Sequence, residues 1–176
     1  RINLLLIGKS RYHFQNKYQW SNSDERSKIN EIKSLSFNRS SEFINILSKN
    51  DVIAKSYYSN LPEDLKNQLY KNYKNGKIPK SILISRLYYN GILNGFIIVE
   101  IFDQNKLWSK EEKTVFSTLA EIIVNSLKRE QAEKDLKKLN EILEQKVEER
   151  TEELNKTNKR LSKSLEVLRN EQNAGR

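Results

Sequence analysis

The chain contains no cysteine among its 176 residues, and this absence removes several kinds of chemistry. Without a thiol there is no disulfide, no thiolate nucleophile, no thiolate metal ligand and no thioether bond to a chromophore. Histidine occurs once, at His13, so a haem or metal site built on imidazole would lack ligands too. We therefore expect no metal and no resident cofactor. The lack of cysteine is also consistent with a reducing, cytoplasmic location.

Glycine and proline are scarce, with five and two residues, and neither occurs between residues 109 and 172. Since both residues interrupt helices, such a stretch favours one long helix. The sequence has no glycine-rich phosphate loop and no nucleophile elbow either. We therefore expect no catalytic residue in this chain and do not interpret it as an enzyme.

Long apolar runs are missing as well, because no stretch of 18 or more apolar residues occurs and no membrane span is predicted. Methionine is also absent, and Arg1 leads almost directly into the apolar run Ile2–Ile7. We expect the chain to be a piece of a longer polypeptide, with an output domain following Arg176. Residues 173–176 are interpreted as a tail or tag.

Charge divides the chain into two predicted parts. Residues 128–172 carry 12 basic and 11 acidic side chains, whereas residues 1–127 carry 19 basic and 12 acidic ones. A basic lobe can attract nucleic acid, an acidic membrane surface or an anionic small ligand. The alternative is charge scattered over a Lys- and Asn-rich surface. Because no basic stripe interleaved with aromatic residues is present, we expect no nucleic-acid partner.

Residues 1–127 have the pattern of a mixed α/β (α+β) domain. Short apolar or aromatic runs predict strands, and a helical spacing of apolar residues predicts two short helices, the second beginning at a cap-like Asn60 and stopping at Gly76. The predicted strands are Ile2–Ile7, Asn16–Ser21, a short one at Ile29–Leu35 and Asp51–Ala54; the predicted helices are Ser41–Lys49, capped by Ser40 or Ser41, and Asn60–Tyr73.

The clearest sheet signal is a hairpin. Ser81–Tyr89 and Ile92–Phe102 flank Asn90-Gly91, a dipeptide that tolerates the positive φ angles of a type I′ turn. The second arm is apolar almost throughout, which is typical of a central strand covered on both faces. Gly95 within it predicts a bulge or the close approach of another backbone.

The last helix of the lobe is predicted to begin at a capping box, Ser109-Lys-Glu-Glu112. Six apolar residues follow at helical spacing and are interpreted as one stripe that packs on the sheet. They are Val115, Phe116, Leu119, Ile122, Ile123 and Leu127.

From about Lys128 this stripe narrows to a seam with the spacing of a two-stranded coiled coil. The seam comprises Leu136, Leu139, Leu143, Val147, Leu154, Asn158, Leu161, Leu165 and Leu168. Between Leu136 and Val147 the steps are 3, 4 and 4, which inserts a stutter and locally unwinds the supercoil. Asn158 at an a-type position favours a dimer of fixed register. We expect a parallel homodimer; the alternative is a lone solvated helix or one folded back on its own domain.

Several short motifs, in this order and spacing, resemble the GAF family of small-molecule-sensing domains in bacterial signalling proteins. They are Tyr18-Gln-Trp20, Asp51-Val-Ile, Asn60-Leu-Pro62, Lys80-Ser81-Ile-Leu before Asn90-Gly91, Gly95-Phe-Ile, and Leu107-Trp108-Ser109-Lys-Glu-Glu112. Residues 143–154 are similar to the linker that joins such domains to histidine kinase, cyclase or phosphatase outputs. The likeness covers residues 1 to about 172, without the helix that usually precedes the first strand.

The resemblance implies an antiparallel sheet flanked by helices, followed by a long coiled-coil helix. It also implies a ligand region between the sheet and the middle helices, for which the candidate residues are Phe43, Leu47, Asp51, Ser81 and Arg86. The ligand would be an unidentified small molecule such as a cyclic nucleotide, with Arg86 pairing an anionic group. In many such domains, however, the region is filled by the protein's own side chains.

We therefore expect a cytoplasmic sensory or regulatory module. It would dimerise and transmit a ligand- or partner-induced change through the coiled coil to the output domain. The alternative is a ligand-free spacer that only dimerises and sets the geometry of the output domain. The thiol-dependent reductases that share the fold are excluded because they need cysteine.

Overall fold

The computed structural model describes residues 1–8, 10–21, 32–73 and 78–174, with side chains up to residue 167 and at residues 169 and 170. The chain divides into two compact units, Arg1–Leu127 and Lys128–Arg176. The predicted helix stop at Gly76 and the first part of the predicted strand Ile29–Leu35 lie outside the described residues.

The first unit contains a six-stranded antiparallel sheet, counted over the described residues, with strand order β3-β2-β1-β6-β5-β4. The strands are β1 Ile2–Ile7, β2 His13–Trp20, β3 Ser34–Ser36, β4 Val52–Lys55, β5 Ser81–Tyr89 and β6 Ile92–Ile101. The central pair, β1 and β6, holds the apolar runs that the sequence marks as buried. The antiparallel sheet, its helices and the long last helix confirm the predicted fold class.

Three α-helices accompany the sheet in the described part of the chain: α1 Glu42–Lys49, α2 Glu63–Asn72 and α3 Lys110–Ala174. Ser41 caps α1 by accepting a hydrogen bond from the backbone N–H of Ile44 at 3.1 Å. The prediction that Asn60 caps the second helix is wrong. Asn60 ends a short 3-10 helix, Tyr58–Asn60, and Pro62 stands at the N-cap of α2, where its fixed φ angle suits a helix start.

The hairpin between β5 and β6 forms as its sequence predicts. Asn90 and Gly91 both have positive φ, 47° and 78°, and Tyr89 pairs with Ile92 across a two-residue turn. At Gly95 the backbone of β1 comes so close that an added Cβ would lie 2.1 Å from the carbonyl oxygen of Leu5. Glycine is therefore required there by close approach, and the register shift after Leu87 shows that a bulge is present too.

Two hydrophobic cores lie on the two faces of the sheet. One core lies between the sheet and helices α1 and α2, and it includes Phe43, Leu47, Leu65 and Leu69. The other joins the sheet to Phe116, Ala120 and Val124 of α3. The apolar residues that face the sheet thus hold each helix in place. This packing also fixes the positions of the candidate site residues on the helices and strands.

The predicted single stripe on α3 divides into two faces. Phe116 is buried, and Ile123 and Leu127 pack partly against the core. Val115, Leu119 and Ile122 are instead 69%, 44% and 60% exposed, so the prediction that they pack on the sheet is wrong. Six apolar residues span too wide an arc of the helix for one sheet contact to cover them all.

Candidate functional site

The region predicted to hold a ligand, between the sheet and α1, is filled by aromatic side chains. The ring of Phe43 lies 4.9 Å from that of Phe37 and 5.3 Å from that of Phe96, and Phe96 lies 5.0 Å from Phe14. Phe14, Phe43 and Phe96 are fully buried, as is Leu47. Tilted and edge-on contacts of this kind stabilise a core beyond the area they bury. Phe43 and Leu47 are thus packing residues in this structure.

Asp51 and Arg86, the two charged candidates, are brought together. A guanidinium nitrogen of Arg86 lies 2.5 Å from Oδ1 of Asp51, and the other donates to the carbonyl oxygen of Ser48 at 2.6 Å. The guanidinium also lies over the ring of Tyr88, 4.4 Å from its centroid. Arg86 thereby joins the end of α1 to β4 and β5. Pairing of Arg86 with an anionic ligand stays a prediction.

A cleft of about 330 Å³ opens beside this pair, still within the first unit. One wall is formed by Asp51, Arg86 and the hairpin, and the other by α3, where three polar residues accompany the buried Val124. Its lining residues include Tyr88, Tyr89, Asn90, Ser117, Glu121 and Asn125. A cleft of this volume has room for a small polar molecule. Of the five candidate ligand residues, Asp51 and Arg86 line the cleft, whereas Phe43, Leu47 and Ser81 do not.

Ser81 is the first residue of β5, five residues before Arg86, and does not line the cleft. Its hydroxyl donates to the carbonyl oxygen of Ser56 at 2.9 Å and accepts from the backbone N–H of Lys106 at 2.6 Å. The side chain is fully buried. With both hydrogen bonds made inside the protein, Ser81 ties the segment before α3 to the sheet.

A buried polar cluster around Glu100 was not predicted from the sequence. The Glu100 carboxylate accepts from Nε of Arg1 at 2.6 Å and from the amide nitrogen of Asn3 at 2.7 Å, and the Tyr73 hydroxyl donates to it. Burial raises the pKa of Glu100, against the opposing effect of Arg1 and Asn3. The sequence feature that could have indicated this cluster is Glu100 itself, a single acidic residue within the apolar run of β6.

The second unit carries the predicted seam as an exposed ridge. Leu143 is 50% exposed and Val147 is 65% exposed, and the other apolar seam residues whose side chains are described fall between these values. Leu168 lies outside the described side chains. Ion pairs at helical spacing, such as Arg129–Glu133 and Glu130–Lys134, stand beside the ridge.

Comparisons with known proteins identify the fold. No protein-family profile and no curated protein sequence matches the chain. Among solved structures, the GAF domain of the cyanobacteriochrome TePixJ is similar, with 17% identity, a TM-score of 0.52 and coverage of 73% of this chain and 77% of that one. The GAF domain of an Acinetobacter phosphoenolpyruvate-protein phosphotransferase is also similar. Its identity is 13% and its TM-score 0.53, and the match covers 74% of this chain and 72% of that one.

A third similar structure is a domain assigned to a two-component sensor histidine kinase of Sinorhizobium meliloti. Its identity is 14% and its TM-score 0.51, and the match covers 77% of this chain and 83% of that one. The chain has the GAF fold. The whole sheet lies in the first unit, Arg1–Leu127, which is called the GAF domain below in the sense of its fold alone. The resemblance stated from the sequence motifs is therefore confirmed at the level of the fold.

The described residues were also searched for metal-binding clusters and for membrane-spanning helices. Across residues 1–8, 10–21, 32–73 and 78–174, no group of three or more His, Asp or Glu side chains could hold a metal ion. None of the helices in these residues contains an apolar stretch of the length needed to span a bilayer.

Proposed function

We propose that the chain is the sensory or regulatory module of a cytoplasmic signal-transduction protein. In this proposal two copies pair in parallel through the second unit. A change in the GAF domain, induced by a small molecule or a partner, passes along α3 to an output domain of the same polypeptide. The module itself catalyses nothing.

The observation that carries the proposal is the exposed apolar ridge on α3. A helix alone in water is marginally stable, and most helices in proteins owe their stability to packing of an apolar face. From Arg129 to Val167 every residue is exposed, yet Leu or Val recurs at the seam positions. Pairing with the same ridge of a second copy would cover these side chains and place Asn158 opposite its counterpart.

The similar structures support a role in sensing or regulation. They come from a cyanobacteriochrome, a phosphoenolpyruvate-protein phosphotransferase and a sensor histidine kinase, in which the GAF-like domain is one part of a larger protein by name. The kinase example favours an output domain in the same polypeptide for this chain as well.

A signal can pass only if the ligand or partner binds two arrangements of the helices with different affinity. The step of 3, 4 and 4 residues between Leu136 and Val147 departs from the heptad repeat. A stutter locally unwinds a coiled coil. This segment is therefore where a rotation of the helices would be absorbed.

Sedimentation measurements test the pairing. Leu143→Asp together with Leu154→Asp places two carboxylates at the proposed seam, where they would be desolvated and would face their own copies. We expect the wild-type chain to sediment as a dimer and the double variant as a monomer at the same concentration. Both residues lie outside the GAF domain, and their side chains are at least half exposed in the single chain. We therefore expect the GAF domain of the double variant to stay folded.

A matched control keeps the change in charge and moves it off the seam. Gln145→Asp together with Lys163→Gln lowers the net charge by the same two units at outer positions, and this variant should remain a dimer. A double seam variant that still sediments as a dimer would show that the ridge is not the interface.

A second candidate function is a ligand-free dimerisation spacer, and the aromatic packing favours it. Phe14, Phe37, Phe43 and Phe96 occupy the region where the resemblance places a ligand. Thermal melting against a panel of cyclic nucleotides and common metabolites separates the candidates. A reproducible upward shift with one compound supports the sensor, because a ligand that binds the native state raises its stability. No shift with any compound supports the spacer.

A further inference from the structure

The cleft beside Asp51 and Arg86 opens where β5 has lost its outer neighbour. Strand β4 begins at Val52, which pairs with Ser85. From Arg86 onward, no strand among the described residues lies beside β5 on that side. Helix α3 forms the opposite wall of the cleft. The cleft is therefore a different space from the aromatic core between the sheet and helices α1 and α2.

A β-bulge shapes the sheet wall of the cleft. Neighbouring residues of a regular strand point to opposite faces, but the register of β5 shifts between Leu87 and Tyr88. Tyr88 and Tyr89 consequently both line the cleft, and Asn90 follows with a φ of 47° and lines it too. Bulges often redirect side chains next to functional sites. Two phenol groups and an amide thus border one space.

The wall on α3 carries a polar stripe. Ser117, Glu121 and Asn125 follow one another at intervals of four residues, which places them on the same face of a helix. Glu121 and Asn125 are exposed, and Ser117 is half-buried. Within the described part of the chain, no hydrogen bond or ion pair engages the Glu121 carboxylate. The stripe therefore contains an anionic acceptor that the protein itself does not use.

The charges that line the cleft favour a cationic ligand. They are two carboxylates, Asp51 and Glu121, and one guanidinium, Arg86. The guanidinium is already engaged by the Asp51 carboxylate at 2.5 Å, the carbonyl oxygen of Ser48 at 2.6 Å and the ring of Tyr88. An anionic ligand would have to displace Asp51 from this pair. An ammonium group, which has three donors and no acceptor, instead finds Glu121 and the 69% exposed Asp51 side chain as partners.

We propose that this cleft binds a small hydroxylated amine, such as an amino sugar or an amino alcohol. The carboxylates of the lining supply acceptors for the protonated amino group, and the phenol, hydroxyl and amide groups exchange hydrogen bonds with the ligand hydroxyls. The inference rests on the proposed sensory function, for which it gives the place and the chemical class of the ligand. Because the two walls belong to the sheet and to α3, a bound ligand would connect the hairpin directly to that helix.

Calorimetric titration of the full chain with matched probes tests the chemical class. Glucosamine and serinol are the amines, glucose and glycerol are their counterparts with a hydroxyl in place of the amino group, and glucuronate and glycerate are the anionic counterparts. In an amine-free buffer, we expect saturable binding of at least one amine and none of the other four compounds. No binding of either amine, or binding of the neutral or anionic counterpart as tightly as the amine, would overturn the inference.

Glu121→Gln tests whether the amine binds in the cleft. The substitution removes a charge with little change in size, at an exposed position where the core is not involved. We expect the affinity for the bound amine to fall about tenfold, because a hydrogen bond to a charged group is lost. Glu42→Gln removes the same charge from an exposed position of α1 outside the cleft and should leave the affinity unchanged. An unchanged affinity of Glu121→Gln, or an equal loss in both variants, would overturn the inference.

Amide chemical shifts give a second readout that needs no substitution. In proton–nitrogen correlation spectra, the bound amine should move the signals of Tyr89, Asn90 and Glu121 more than those of Phe43 and Leu47. Larger movements at Phe43 and Leu47 would place the ligand in the aromatic region and overturn the inference.

Sedimentation of the same wild-type sample separates this inference from the proposed function. A dimer that binds neither amine means that the inference fails while the proposed pairing stands. A monomer that binds an amine in the cleft supports the inference and contradicts the proposed pairing.

Discussion

Glu100 lies in surroundings that disfavour its charge. The carboxyl is fully buried in the GAF domain, and burial raises its pKa while Arg1 and Asn3 offset part of that effect. A group whose pKa is higher in the folded state binds its proton more tightly there than in the unfolded chain. Its contribution to stability is therefore complete below the pKa of the unfolded chain. It is lost as the pH rises through the folded pKa.

Glu100→Gln should remove this pH dependence, because glutamine resembles the protonated acid at every pH. We expect the free energy of unfolding of the variant to increase relative to that of the wild type as the pH is raised from acidic to neutral. Denaturant unfolding at a series of pH values, followed by tryptophan fluorescence, measures the difference.

Glu42→Gln, at an exposed position of α1, serves as the control for this experiment. The difference in free energy of unfolding between Glu42→Gln and the wild type should vary less with pH than the difference between Glu100→Gln and the wild type. A Glu100→Gln difference that stays constant across the series would contradict the raised pKa of the carboxyl.

Single residues differ in how far the sequence predicts their roles. The Asn90-Gly91 turn and the glycine at position 95 are predictable because each depends on the local backbone. The partners of Glu100 are not, since Arg1 and Asn3 lie 99 and 97 residues away. A buried acid in an apolar strand indicates that partners must exist, but the strand order decides which residues they are.

At the scale of elements, the start of α3 is set by its capping box. Ser109 and Glu112 exchange hydrogen bonds, each side chain accepting from the backbone N–H of the other at 3.1 and 2.9 Å. Lys106 adds an ion pair to Glu112 at 2.8 Å, and this contact and the bond from Ser109 lower the pKa of the Glu112 carboxyl. The box satisfies N–H groups that have no partner within the helix.

Ser109→Ala should destabilise the GAF domain by about 1 kcal/mol, because an N-cap hydroxyl is lost. Ser126→Ala, the same change inside α3, should be neutral or slightly stabilising because alanine favours helices. Chemical denaturation of both variants gives the comparison. Equal effects of the two substitutions would show that the cap does not contribute to stability.

The sequence predicts an element best where the element depends on residues that are neighbours in sequence. It predicts least well which surface an apolar residue packs against. The capping box and the hairpin depend on neighbours in sequence. The apolar residues of α3 are compatible with a wide sheet contact, and only the packing shows that Val115, Leu119 and Ile122 face away. Likewise, Phe43 and Leu47 suit either a ligand pocket or a core, and the rings of Phe37 and Phe96 fill the space beside Phe43.

At the scale of the molecule, the two units differ in what stabilises them. The GAF domain has hydrophobic cores on both faces of its sheet. The second unit has no buried residue from Arg129 to Val167, so its stability in the proposed dimer comes from the partner copy. Folding of the GAF domain should then be independent of protein concentration, whereas helix formation in the second unit should depend on it.

Dilution of the wild-type chain tests this difference without any substitution. Both tryptophans, Trp20 and Trp108, lie in the GAF domain, so their fluorescence reports on that unit alone. Far-ultraviolet circular dichroism reports mainly on α3, which has 65 helical residues against 8 and 10 in α1 and α2. Below the dissociation constant, we expect the helical signal to fall while the fluorescence stays native, because an unpaired helix of this kind frays. A helical signal that persists at every concentration would mean that the second unit is stable as a single helix, and the apolar ridge would then need an explanation other than dimerisation.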